Sequence, residues 1–136
     1  MSPIRQAAPP LRWRRFWQAL AVLVTLVVIW GSLTPQPPQI PVAEGDKLEH
    51  FAAYFAIMLA WGSTVARAHH GRVFILAVLL GGGLELAQML TPARDPAWGD
   101  LLADALGAGA AWWLLRWPLW RILLKIESLP GIRNRL

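Results

Sequence analysis

The stretch that decides the fold is FWQALAVLVTLVVIWGSL, residues 16–33, which carries no charged side chain; none occurs between Arg15 and Glu44. Wound as a helix, 18 residues reach ~27 Å at ~1.5 Å per residue, close to the ~30 Å hydrocarbon core of a bilayer. A surface helix of a soluble bundle needs a polar stripe, and this run has none. Its basic flank, Arg12-Trp13-Arg14-Arg15, suits a signal sequence. However, the apolar core exceeds the ~7–15 residues of a cleaved signal, and no small-x-small site follows at Trp30-Gly31-Ser32-Leu33-Thr34-Pro35. A retained signal-anchor helix is expected.

Three further apolar runs follow, at 51–66, at 73–90 broken by Glu85, and at 101–115 carrying Asp104. Each is flanked by Pro, Gly or charge, as helix ends at a bilayer surface should be. The whole chain has 136 residues, 56% of them hydrophobic and only 15% charged, which excludes a disordered segment and an ordinary soluble domain. The expected fold is therefore all-α: a compact bundle of four transmembrane helices over 16–120. A basic tail (1–15) precedes it, proline-rich and disordered over 1–10. After it, 121–136 form either a basic tail or a short interfacial helix, since Arg121 and Lys125 alternate there with Ile122, Leu123 and Ile126. Pro35-Gln36-Pro37-Pro38 reads as an extended loop. The absence of Cys excludes disulfides, Cys-ligated zinc and thiol catalysis.

The net charge of +5 resolves once the charges are placed. Arg5, Arg12, Arg14 and Arg15 precede the first run, Arg67 and Arg72 join the second to the third, and Arg116, Arg121, Lys125, Arg133 and Arg135 follow the fourth. Only Lys47 and Arg94 fall on the other side, so both termini are expected in the cytoplasm of a bacterial inner membrane. That side also holds Glu44, Asp46, Glu49, Glu85, Asp95, Asp100 and Asp104. The basic face is topology and needs no nucleic acid; the acidic face is where function is expected. Of the 9 Trp, Trp13, Trp17, Trp30, Trp98, Trp117 and Trp120 fall near span ends, where amphipathic rings favour the headgroup layer, while Trp61, Trp112 and Trp113 fall deeper.

Asp46, Lys47 and His50 stand at the outer mouth of the second helix, with Tyr54 one turn on from His50. Glu85 and Gln88 lie near the outer end of the third, Arg94 in the following loop, and Asp100 and Asp104 one turn apart at the start of the fourth. Three helix ends thus deliver polar groups to one depth, where a carboxylate is costly and is expected to face the bundle interior with a partner. For Glu85 these partners would be Arg94, Lys47 or His50. Gly81-Gly82-Gly83 and Gly107-Ala108-Gly109-Ala110-Ala111 allow close helix approach beneath. Blander roles are open: Asp46 and Asp100 as helix caps, and Glu85 with Arg94 as a structural ion pair. His69-His70, beside Arg67 and Arg72, reads as a solvated turn rather than a metal site.

These residues resemble the VanZ-like family. The matching elements are Asp46-Lys47-Leu48-Glu49-His50-Phe51-Ala52-Ala53-Tyr54, then Glu85-Leu86-Ala87-Gln88, then Arg94 with Asp100 six residues on, and Leu106-Gly107-Ala108. Together they follow the family's D-K-x-x-H-F-x-x-Y, E-x-x-Q and R…D…G-A pattern over about half the chain. Asp104 departs from it, standing where many members carry Asn. The resemblance implies a small multi-pass membrane protein with an outward-facing site. Its founding member is associated with low-level resistance to teicoplanin, which acts outside the cytoplasmic membrane.

Two functions fit. In the first, the outward polar site binds a lipid head group, a cell-wall (peptidoglycan) precursor or a partner protein, with Arg94 and Lys47 taking a phosphate or carboxylate. In the second, Asp100 and Asp104, with Glu85, Asp46 or His50, hold a divalent cation against a lipid-linked phosphate or diphosphate, and His50 serves as general base. The first is expected, with no resident metal or cofactor assigned. The sequence contains no H-E-x-x-H, no G-x-S-x-G around Ser63, no Walker A and no G-x-G-x-x-G. Four spans would form a conduction path only as a homo-oligomer.

Overall fold

The computed structural model describes residues 8–35, 41–90 and 97–133, and every regular element among them is helical. Five helices follow in order: α1 Arg14–Leu33, α2 Gly45–Gly62, α3 His70–Gln88 (entered through a 3-10 turn at Arg67–His69), α4 Trp98–Leu114 and α5 Trp120–Glu127. A single helical turn, Pro130–Arg133, follows. The proline-rich loop at 36–38 and the tail at 1–7 lie outside the described residues.

The four apolar runs are helices with shifted ends. α2 starts at Gly45, well before the apolar run at Phe51, so Asp46, Lys47 and His50 lie within its first turns rather than at its mouth. Asp46 sits where the helix dipole favours negative charge. Neither Asp46 nor Asp100 is a cap: the residues preceding α2 and α4 are Glu44 and Ala97, with no side-chain cap bond at either. Glu44 enters α2 through a left-handed backbone conformation, φ 58°. α1 and α3 with its entry turn are long and apolar enough to cross a membrane; α2 has three charged residues in its first turns, and α4 is 17 residues long.

Side-chain pairs along the helices fix their directions. Lys47 lies over Gly99, His50 against Asp104, and Gly62 against Leu115, so α2 and α4 run parallel and make the closest pair. Going the other way along α3, Gly81 meets Asp104 and Gly71 lies near Trp112, which makes α3 antiparallel to α4. Thr25 of α1 reaches Trp61 and Ser32 reaches Gln88, placing the end of α1 beside the end of α3. The result is a bundle of alternating direction in which one end gathers the start of α2, the end of α3 and the start of α4. We call it the polar end.

Gly107 permits the α2–α4 approach. A Cβ there would collide with the backbone carbonyl of Phe51, and Ala108 and Ala111 beside it are fully buried. Tyr54, Ile57, Met58, Ala77 and Leu115 complete the core. The interior also holds polar groups, Thr64 and Asp104 being among its most buried side chains. The exterior is apolar: Leu20, Leu23, Leu26, Val27, Ile75, Leu76, Leu79, Leu102 and Leu106 are all exposed, and α1 buries only Ala21. Exposed apolar side chains on this scale mark a surface suited to meet another apolar phase or a partner.

Hydroxyl and indole groups inside this apolar shell are satisfied within it. Thr25 Oγ1 donates to the Ala21 carbonyl (2.9 Å) and accepts from Trp61 Nε1 (3.1 Å), and Ser63 Oγ donates to the Leu59 carbonyl (2.7 Å). His70 corrects the solvated-turn reading: it is buried at the start of α3, and its Nε2 donates to the Gly62 carbonyl at 2.9 Å, satisfying the open end of α2. Trp112 packs on Phe74 at 5.2 Å between ring centres, whereas Trp30, Trp98 and Trp117 are exposed near helix ends.

The C-terminal segment is helical over Trp120–Glu127, and it is tied to the start of α1. Glu127, 7% exposed, accepts from the backbone N–H of Arg12 (3.0 Å) and Trp13 (3.1 Å) and from Trp17 Nε1 (2.7 Å). A carboxylate from the far end of the chain thus does the work of a helix cap, where dipole and orphan N–H groups both favour an anion. Both ends of the described chain meet there, opposite the polar end.

Candidate functional site

At the polar end, His50 is held between two carboxylates of α4. Its Nδ1 lies 2.8 Å from Asp104 Oδ1, a hydrogen bond, and its Nε2 lies 3.7 Å from Asp100 Oδ2, beyond hydrogen-bond reach. The i, i+4 spacing of Asp100 and Asp104 on α4 sets this geometry: both project from one face, one turn apart, and the imidazole of α2 bridges them. Asp104 is fully buried; its second oxygen lies over Gly81, where a Cβ would collide with it, and the Tyr54 ring borders the same point. Gly81 thus makes room for a carboxylate in the core.

Glu85 joins from α3. Its side chain is 8% exposed, and a carboxylate oxygen of Glu85, a ring nitrogen of His50 and an oxygen of Asp100 all lie within 4.8 Å of one another. Three buried carboxylate oxygens here, Glu85 Oε1, Asp100 Oδ1 and Asp104 Oδ2, have no hydrogen-bond partner among the described residues. Natural structures rarely leave such groups unsatisfied, so each points to a ligand or a bound proton.

The other residues singled out in the sequence divide. Tyr54 is fully buried, its ring beside Gly81. Gln88 is tied to α1, Nε2 donating to the Ser32 carbonyl at 2.7 Å, which satisfies a carbonyl at the end of that helix. Lys47 stands at the rim: Nζ is 2.7 Å from Glu44 and 3.6 Å from Asp46, and its stem crosses Gly99. Both acids and the lysine are substantially exposed and precede the apolar run at Phe51. There the Lys47 backbone N–H lowers the Asp46 pKa, and hydrogen bonding to Glu44 raises that of Lys47. Arg94, expected to pair with Glu85, lies outside the described residues.

The arrangement is a cluster of three carboxylates and one imidazole, with Lys47 at its rim and Tyr54 and Gly81 on its core side. Its chemistry is that of a site for a cation or a proton. Ser63 offers no nucleophile, its hydroxyl being spent on Leu59. Sequence reasoning missed Gly99, over which Lys47 lies, and the Glu127 clamp at the opposite end. Comparison with protein families, with curated proteins and with solved structures finds no match to this chain.

Proposed function

We propose that the chain is a VanZ-like integral membrane protein of the bacterial cell envelope. It crosses the inner membrane four times, keeps both termini in the cytoplasm and binds an envelope ligand at the outward-facing polar cluster. That ligand is a lipid head group, a peptidoglycan precursor or a partner protein. One observation carries this reading: the bundle is apolar outside and polar at its buried end, where His50, Asp104 and Glu85 converge with carboxylate oxygens left unpartnered. A membrane protein hides ionisable groups in its interior and keeps them for function. Exposed Trp30 and Trp98 near the polar end and Trp117 near the other match two headgroup layers. α5, with Ile122 exposed beside Arg121 and Lys125, would lie on the cytoplasmic surface. Lipids copurifying with the parent but not with Glu85→Gln would identify the head group. Identical lipid profiles, with an unchanged envelope-stress response for Glu85→Gln and Arg94→Ala, would refute ligand binding at this site.

A second reading, a metal-assisted enzyme acting on a lipid-linked phosphate or diphosphate, is favoured by the acid-rich lining. An anionic head group meets only Lys47 among the described residues of the site, and Lys47 is already paired with Glu44 and Asp46. A cation held by the acids would supply the missing positive charge.

A further inference from the structure

We propose that His50, Glu85 and Asp100 form a binding site for one divalent cation of the Zn²⁺ or Mn²⁺ kind, with Asp104 orienting the histidine. Three independent features support it. First, the ligand atoms are gathered from three different helices: one ring nitrogen and two carboxylate oxygens lie within 4.8 Å of one another. Ligands on a single ion at ~2.0–2.2 Å stand ~3–4 Å apart, so only a slight contraction is needed. The separation of His50 Nε2 from Asp100 Oδ2, 3.7 Å, falls in that range and outside that of a hydrogen bond.

Second, the imidazole is already set for ligation. Asp104 Oδ1 at 2.8 Å from Nδ1 holds the proton on that nitrogen, which turns the Nε2 lone pair toward Asp100. Metal-bound histidines are characteristically held this way, by a carboxylate on the other ring nitrogen. Asp104 accordingly acts as a positioning residue.

Third, Glu85 is more than nine-tenths buried and aimed into the cluster, and its Oε1 has no partner among the described residues. Asp100 Oδ1 is likewise unpartnered. A capping role would account for Asp100 alone, but Asp100 is not a cap and Glu85 belongs to the end of another helix. The mixture of one imidazole with two carboxylates favours Zn²⁺ or Mn²⁺, since Ca²⁺ and Mg²⁺ take all-oxygen shells. Three protein ligands leave coordination positions open for water or a ligand oxygen.

The test uses the full chain, purified in detergent, delipidated and stripped with chelator. Zn²⁺ and Mn²⁺ are titrated by calorimetry, and bound metal is counted after desalting. About one ion per chain is expected, with a rise in unfolding temperature. His50→Ala, Glu85→Gln and Asp100→Asn should each weaken binding at least tenfold, and Asp104→Asn by ~10–100-fold, as loss of a supporting carboxylate does elsewhere. Helicity and monodispersity identify the variants that fold, and any one folded ligand variant suffices. No binding by the parent below 100 μM of either ion would overturn the proposal, as would parental affinity in a folded ligand variant. Because lipid is removed first, failure here leaves the lipid-copurification result standing, and the converse holds.

Discussion

The closest helix contact in the molecule predicts unequal effects for one chemical change made at two places. At Gly107, an added methyl group meets the Phe51 backbone, its Cα 3.0 Å and its carbonyl carbon 2.9 Å away, with the carbonyl oxygen nearer still. A backbone carbonyl inside a helix cannot rotate aside, so α2 and α4 must separate. Overpacking of this kind costs ~1–3 kcal/mol. At Gly83, on α3, an added methyl group meets nothing within 4 Å. There, Gly→Ala only relieves the conformational penalty of glycine in a helix, a gain of ~0.5–1 kcal/mol. Both substitutions gain that helix term, so Gly107→Ala and Gly83→Ala should differ by the overpacking cost alone, ~1–3 kcal/mol in unfolding free energy, measured side by side in the same micelles. Separation at Gly107 also pulls His50 from Asp104, so Gly107→Ala should perturb the imidazole resonances of His50 while Gly83→Ala leaves them in place. Equal stability of the two variants, or an unperturbed His50 in Gly107→Ala, would refute the packing described for α2 and α4.

Other expectations follow from single contacts. His50→Leu leaves Asp104 fully buried without its partner and should cost ~3–5 kcal/mol, while His50→Leu/Asp104→Leu should recover much of that loss in a double-mutant cycle. Additive single effects would show that the two side chains do not interact. Glu127→Ala removes three hydrogen bonds from the start of α1 and should destabilise the protein by ~1–2 kcal/mol, with faster amide exchange at residues 12 and 13 and unaltered exchange at the polar end. Chelator added to metal-loaded protein should lower the unfolding temperature of the parent but not of Glu85→Gln.

Much of this was legible in the sequence because both signals were local. Four apolar runs forecast four helices, and their ends moved for a physical reason. Asp46 to His50 are polar, so they fall outside an apolar run, yet they wind readily into a helix whose dipole welcomes acids in its first turn. His50, Glu85, Asp100 and Asp104 were identifiable as polar groups that an apolar environment should exclude, and the spacing of Asp100 and Asp104 put them on one face. Their mutual arrangement was not legible. Nothing in the pattern said that His50 would bridge the two aspartates, that Gln88 would serve α1, or that Lys47 would turn outward to Glu44. Those outcomes depend on how three helices rotate against one another. The Glu127 clamp lay furthest from reach, joining groups more than 100 positions apart through a helix that a basic tail would also have explained.

Membrane placement of the bundle, with the polar end outside, is tested most directly by thiol labelling, for which the chain, with no Cys, provides a silent background. Single cysteines at Glu44 beside the polar end, His69 between α2 and α3, and Ser128 beyond α5 are exposed positions and would be challenged with a membrane-impermeant reagent on intact spheroplasts. Labelling of Glu44→Cys alone, with His69→Cys and Ser128→Cys reacting only after the membrane is opened, is the predicted result. Labelling of His69→Cys or Ser128→Cys on intact spheroplasts, or recovery of the chain in the soluble fraction, would contradict it.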